Sequence, residues 1–88
     1  MSEFTTISEN ATINQELYKE HLNWTGLKTI YGLFQQGTNG DAPVTHTTVS
    51  NGVEIFKWNA WNAQRGKSTQ DAQDEYITFV KSTGLYSP

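Results

Sequence analysis

Between Asn23 and Gly37, the residues Leu27, Ile30, Tyr31 and Phe34 fall at i, i+3, i+4 and i+7, the spacing of one face of an α-helix. Asn23 is a good N-cap, because its side-chain oxygen can accept a backbone N–H that a helix start leaves without a partner. Gly37 offers a stop. The spacing therefore predicts a helix ending near Gln36, slightly weakened by Gly26 in its first turn. A stripe of this kind has to be covered by other elements. The rest of the chain offers mainly more helices.

The richest of these is centred on Ile55-Phe56-Lys57-Trp58-Asn59-Ala60-Trp61, which carries two of the three tryptophans. At helical spacing Val53, Phe56 and Ala60 make one apolar stripe, and Ile55, Trp58 and Trp61 a second beside it. The pattern predicts a helix from about Val53 to Gln64, closed by Arg65-Gly66-Lys67. So much apolar circumference predicts a helix wrapped by its neighbours, with Lys57 emerging along a narrow seam. A cation held at a seam of rings suits a flat anionic ligand. From this stretch alone, the favoured reading is a lysine that simply snorkels out of a core helix.

Ser68-Thr69-Gln70-Asp71 reads as a serine N-cap with a carboxylate three residues on. Asp71, Asp74 and Glu75 then occupy early turns, where the helix dipole favours them. Ala72, Tyr76, Phe79 and Val80 form the buried stripe of a last helix ending near Ser82, with Gly84 beyond. The N-terminal segment carries two competing sets. Phe4, Ile7 and Ala11 suit a helix near residues 3–14, whereas Ile13, Leu17, Tyr18 and Leu22 suit one from about Ser8 to His21. Residues 37–52 read as a loop bracketed by turn formers. Within it Val44 to Val49 is β-type without strict alternation, and a lone hairpin there has no sheet to join. The whole reads as an all-α domain of about four helices.

At 88 residues, with no cysteine, the chain is one domain held by packing alone. Three Trp, four Tyr and four Phe supply the burying groups. Only six Lys and Arg, at net charge −3, leave no basic face for nucleic acid. No apolar run approaches membrane-spanning length, so no stable membrane insertion is expected. Met1-Ser2-Glu3-Phe4 lacks a signal-peptide pattern. The expected compartment is cytoplasmic.

Catalytic patterns are missing. There is no cysteine nucleophile and no Gly-x-Ser-x-Gly elbow. His21 and His46 lack metal-ligand spacing and are expected to face solvent. Asn39-Gly40-Asp41 is a turn rather than a phosphate loop. The sequence is that of a non-enzyme, with no cofactor and no metal. What remains is a set of rings and a cation on three predicted helices: Tyr31, Phe34 and Gln35 on one, Lys57 on the next, Tyr76 on the last. Were those faces to converge, they would make an aromatic pocket with one fixed cation.

These residues resemble a known family. Ile30-Tyr31-Gly32-Leu33-Phe34-Gln35-Gln36-Gly37-Thr38-Asn39-Gly40-Asp41 is similar to the Y-x-x-Y-K-Q-A-T-x-G-D segment of the acyl-CoA-binding proteins. Lys57-Trp58-Asn59-Ala60-Trp61-Asn62 resembles their K-W-x-A-W segment. Gly66-Lys67-Ser68-Thr69-Gln70-Asp71-Ala72, followed by Tyr76-Ile77, resembles their G-x-S-x-x-x-A…Y-I segment. The match spans about residues 23–80 without gaps, while residues 1–22 match poorly. The resemblance implies a single acyl-CoA-binding domain over 1–88, folded as a four-helix up-down-down-up bundle. It also implies a monomer that binds long-chain fatty acyl-CoA esters without catalysis, as an intracellular carrier and pool former in lipid metabolism.

Carried over by position, the resemblance makes Tyr31 the tyrosine at the 3′-phosphate and adenosine end. Phe34 takes the place of a second tyrosine, keeping the ring for adenine stacking and losing the hydroxyl. Lys57 pairs with the 3′-phosphate, Tyr76 lines the same site, and Leu27 borders the acyl-chain channel. Gln35 stands where the family usually has a lysine. The loss of a charge-assisted contact there, worth about 1.5–3 kcal/mol at best, implies a weaker hold on the headgroup. That departure keeps a second reading open, a helical protein-interaction module with the fold but weak or no acyl-CoA binding.

Overall fold

The computed structural model describes residues 2–43 and 52–86, with side chains of the second stretch from Ile55 onward. Among the described residues it has five helices: α1 (Glu3–Ile13), α2 (Gln15–His21), α3 (Trp24–Asn39), α4 (Gly52–Asn62) and α5 (Thr69–Thr83). The expected four-helix up-down-down-up bundle is therefore corrected to a five-helix architecture. The additional element comes from the N-terminal segment, where both competing apolar sets form helices.

Asn14 divides them. Its backbone leaves helical geometry (φ −103°, ψ 26°), and its side-chain amide donates to the Asn10 carbonyl at 2.9 Å. Asparagine offers the backbone such local alternatives, which makes it a poor helix-interior residue. α1 starts on the Ser2 cap, whose hydroxyl accepts the Thr5 N–H at 3.1 Å. Its Phe4, Ile7 and Ala11 are buried. From the second set Tyr18 is buried, but Ile13 is 82% exposed and Leu17 lies outside the core.

α3 is the central element, packed on α5 and on α4, while α1 packs on α5. Its start is as expected, with the Asn23 side chain accepting the Gly26 N–H at 2.8 Å. Its end is not. The helix passes through Gly37 and stops three residues later at Gly40, whose φ of +77° is the left-handed kind that glycine tolerates. Gly37 serves packing instead: a Cβ there would lie 3.0 Å from Gln73 Cγ and 3.2 Å from the Phe4 ring. Gly32 is tighter still, since a Cβ would meet the Ala60 carbonyl oxygen at 2.2 Å. That glycine lets α3 and α4 approach backbone to backbone.

α4 is less enclosed than expected. Ala60 is fully buried, but Ile55 is 42% exposed and Phe56, Trp58 and Trp61 are half-buried. The indoles act on the segment after α3: Trp61 Nε1 donates to the Gly40 carbonyl at 2.7 Å and Trp58 Nε1 to that of Pro43 at 3.2 Å. Each indole thus has its N–H satisfied by a backbone carbonyl while its ring stays half-buried. The helix ends at Asn62, two residues before the expected limit. Val53's side chain, the 44–49 run and His46 lie outside the described residues.

α5 begins on Ser68, whose hydroxyl accepts the Asp71 N–H at 3.0 Å, and ends on left-handed Gly84. Ala72, Tyr76 and Val80 are buried and Phe79 half-buried. The two ends of the molecule's long connections are tied by Gln36, which is fully buried. Its amide nitrogen donates to Asp41 at 2.8 Å and to the Lys67 carbonyl at 2.7 Å.

Candidate functional site

A cleft of about 660 Å³ opens between the helices, with walls contributed by all five. Its floor is aromatic. Phe4 stacks on Phe34 with centroids 6.1 Å apart and meets Tyr76 edge-on at 5.2 Å; Phe34 and Tyr76 are 6.3 Å apart and tilted. Such offset and edge-on contacts are the favoured geometries of ring pairs. They fix Phe34 and Tyr76 from below while both still line the cleft.

Tyr31, Phe34, Lys57, Tyr76 and Leu27 are brought together around this one cleft, from α3, α4 and α5. Lys57 Nζ lies 5.8 Å from the centroid of the Tyr31 ring, within range of a cation–π contact. Gln35 is not in the wall. It lies one turn beyond Tyr31, donates to the Tyr31 hydroxyl at 3.1 Å and accepts from Asn39 at 2.8 Å. It reaches the cleft only through the hydroxyl of Tyr31, not as a wall residue. Burial, with a smaller effect of Tyr18, raises the Tyr76 phenol well above its ordinary range, so it stays protonated.

Other wall residues escaped the sequence reasoning, among them Trp24, Phe56, Tyr18 and Lys19. Trp24 and Phe56 meet edge-on at 5.5 Å. Trp24 precedes Leu27 by three residues and extends the same stripe by a turn, a signal available in the sequence. Tyr18 and Lys19 come from α2, whose existence the sequence left undecided. Burial, then Tyr86, raises the Tyr18 phenol, and its hydroxyl has no hydrogen-bond partner. Lys19 adds a second cation to the wall, 3.6 Å from Glu16. His21 is exposed.

A family model described as "Acyl CoA binding protein" matches residues 1–80. The chain belongs to the acyl-CoA-binding protein family. It is 37% identical over 77 residues to an acyl-CoA-binding protein of Dictyostelium discoideum, covering 88% of this chain and 90% of the relative. With an acyl-CoA-binding protein of Ricinus communis it shares 36% identity over 76 residues, 86% of this chain and 72% of the relative. An acyl-CoA-binding protein homolog of Drosophila melanogaster is 44% identical over 52 residues, 59% of this chain and 60% of the relative. Several of the relatives are thus matched over less than two thirds of their length. No solved structure matches the chain. Acyl-CoA-binding proteins hold their ligand without transforming it, and this member is likewise a non-catalytic binding protein. Among the described residues no helix is long and apolar enough to cross a membrane.

Proposed function

We propose that the cleft binds long-chain fatty acyl-CoA esters and that the protein is a monomeric cytoplasmic carrier that holds a pool of them for lipid metabolism. In this reading the phosphorylated nucleotide end meets Tyr31, Phe34 and Lys57, with Tyr76 beneath, and the acyl chain runs past Leu27. The observation that carries it is the convergence of these residues on a single cleft of about 660 Å³, a size common for small-molecule sites lined mainly by apolar groups.

The energetics favour the acylated ligand. Burying about ten methylenes at ~0.8 kcal/mol each contributes ~8 kcal/mol, enough for micromolar binding before ordering costs. Free coenzyme A, which brings none of those methylenes, therefore binds much more weakly than its long-chain esters. Thermal unfolding with hexadecanoyl-CoA and with free coenzyme A tests this. A specific ligand raises Tm in step with RT ln(1 + [L]/Kd). The expected result is a clear rise with the ester and little with free coenzyme A. Equal shifts would contradict the tail-dominated account, and no shift with any acyl-CoA would remove the binding function.

A further inference from the structure

Trp24 is the first residue of α3 and is 74% exposed, whereas the other rings lining the cleft are half-buried or buried. A single exposed apolar residue needs no explanation. Trp24 differs in having an assigned place. The Asn23 cap fixes where α3 starts, and the indole is set edge-on against Phe56 of α4 at an interplanar angle of 69°. On α3, Trp24, Leu27, Tyr31 and Phe34 follow one another along the cleft. Tyr31, with Lys57 beside it, stands about 10 Å along the helix axis from Trp24, by the rise of seven helical residues. Lys57 and Phe56 are neighbours on α4, yet one is turned to Tyr31 and the other to Trp24. The cleft wall therefore changes along its length, from a phenol with a cation to a pair of uncharged rings.

We propose that Trp24 and Phe56 form the distal wall of the acyl-chain channel and set the preference for chain length. The proposal rests on the acyl-CoA reading of the cleft. A chain long enough to pass Leu27 reaches the pair and covers the indole that water now covers. A short chain ends before it and gains nothing from either ring. Each methylene that loses its cover is worth about fourfold in affinity, and two of them about fifteenfold.

Titration calorimetry of the whole protein with hexanoyl-, dodecanoyl- and hexadecanoyl-CoA tests this, comparing the unsubstituted chain with Trp24→Ala and Trp24→Phe. The expected result is a loss of about fifteenfold for Trp24→Ala with hexadecanoyl-CoA, falling to within about twofold with hexanoyl-CoA. Trp24→Phe should retain most of the long-chain affinity, because a ring remains. Equal losses at every chain length, or no loss at any, would overturn the assignment of Trp24 while leaving the cleft an acyl-CoA site. Failure of the unsubstituted chain to bind any of the three esters would overturn the function itself, and this inference with it.

Discussion

Lys57 Nζ stands 5.8 Å from the centre of the Tyr31 ring, so that a residue of α4 and a residue of α3 meet across the cleft. A cation–π contact at a partly exposed site is worth about 0.5–1 kcal/mol, less than a charge-assisted hydrogen bond of about 1.5–3 kcal/mol. A phosphate entering the cleft therefore outcompetes the ring for the ammonium without having to break a strong contact. In the proposed function the ring limits where the lysine goes, which would reduce the ordering cost on binding.

That meeting depends on how closely the two helices approach. A methyl group on residue 32 would fall 2.2 Å from the Ala60 carbonyl oxygen and 2.9 Å from its carbon. Both are backbone atoms, so no rotamer change relieves the overlap. Gly32→Ala is expected to lower unfolding free energy by about 3 kcal/mol and to weaken ligand binding by separating α3 from α4. Urea unfolding checks the first effect; an unchanged midpoint would mean that the helices can part without cost.

Asp41 gives stability a pH dependence of definite sign. The Gly66 N–H, then the Gln36 amide, hold its carboxyl below the ordinary value of 3.8, with Arg65 contributing in the same direction. A lowered folded pKa means that the charged form is favoured by folding. Its contribution is complete above about pH 4 and is lost as pH falls through the lower folded value. Thermal unfolding across acid pH should show a decline below about pH 4 that Asp41→Asn flattens. A decline of the same slope in the variant would assign it to other carboxylates.

Ser68 caps α5 through a 3.0 Å bond from the Asp71 N–H. Ser68→Ala is expected to cost about 1 kcal/mol of stability, and Ser68→Asp to restore most of it. Chemical denaturation of both variants checks this. Equal losses in the two would mean that the position is sensitive to size rather than to the cap.

The sequence legibility of this protein follows the locality of each signal. Asn23 and Ser68 announce helix starts because a cap is a contact between residues three apart. Tyr31, Phe34, Lys57 and Tyr76 were legible as a set because their side-chain types and spacing were distinctive, and their elements converge. The glycines were not legible from local pattern alone. Gly37 has the same local signature as a helix stop, and only the approach of Phe4 and Gln73 reveals that it makes room. Asn14 likewise decides between two helices and one through a bond from its side chain to the Asn10 carbonyl. Trp24 was missed because a residue beside an N-cap reads as a surface position. The enclosure expected of α4 failed: Trp58 and Trp61 stay half-buried, with their N–H groups directed to Pro43 and Gly40.

The proposed function requires Lys57 to meet a phosphate, and one comparison reads that contact directly. Titration calorimetry of Lys57→Ala against hexadecanoyl-CoA and against the same ester of dephospho-coenzyme A, which lacks the 3′-phosphate, separates the lysine's two possible roles. Loss of a charge-assisted bond of about 1.5–3 kcal/mol predicts a weakening of at least tenfold for the phosphorylated ester and almost none for the dephospho ester. Equal weakening of both would make Lys57 a structural residue and contradict the account.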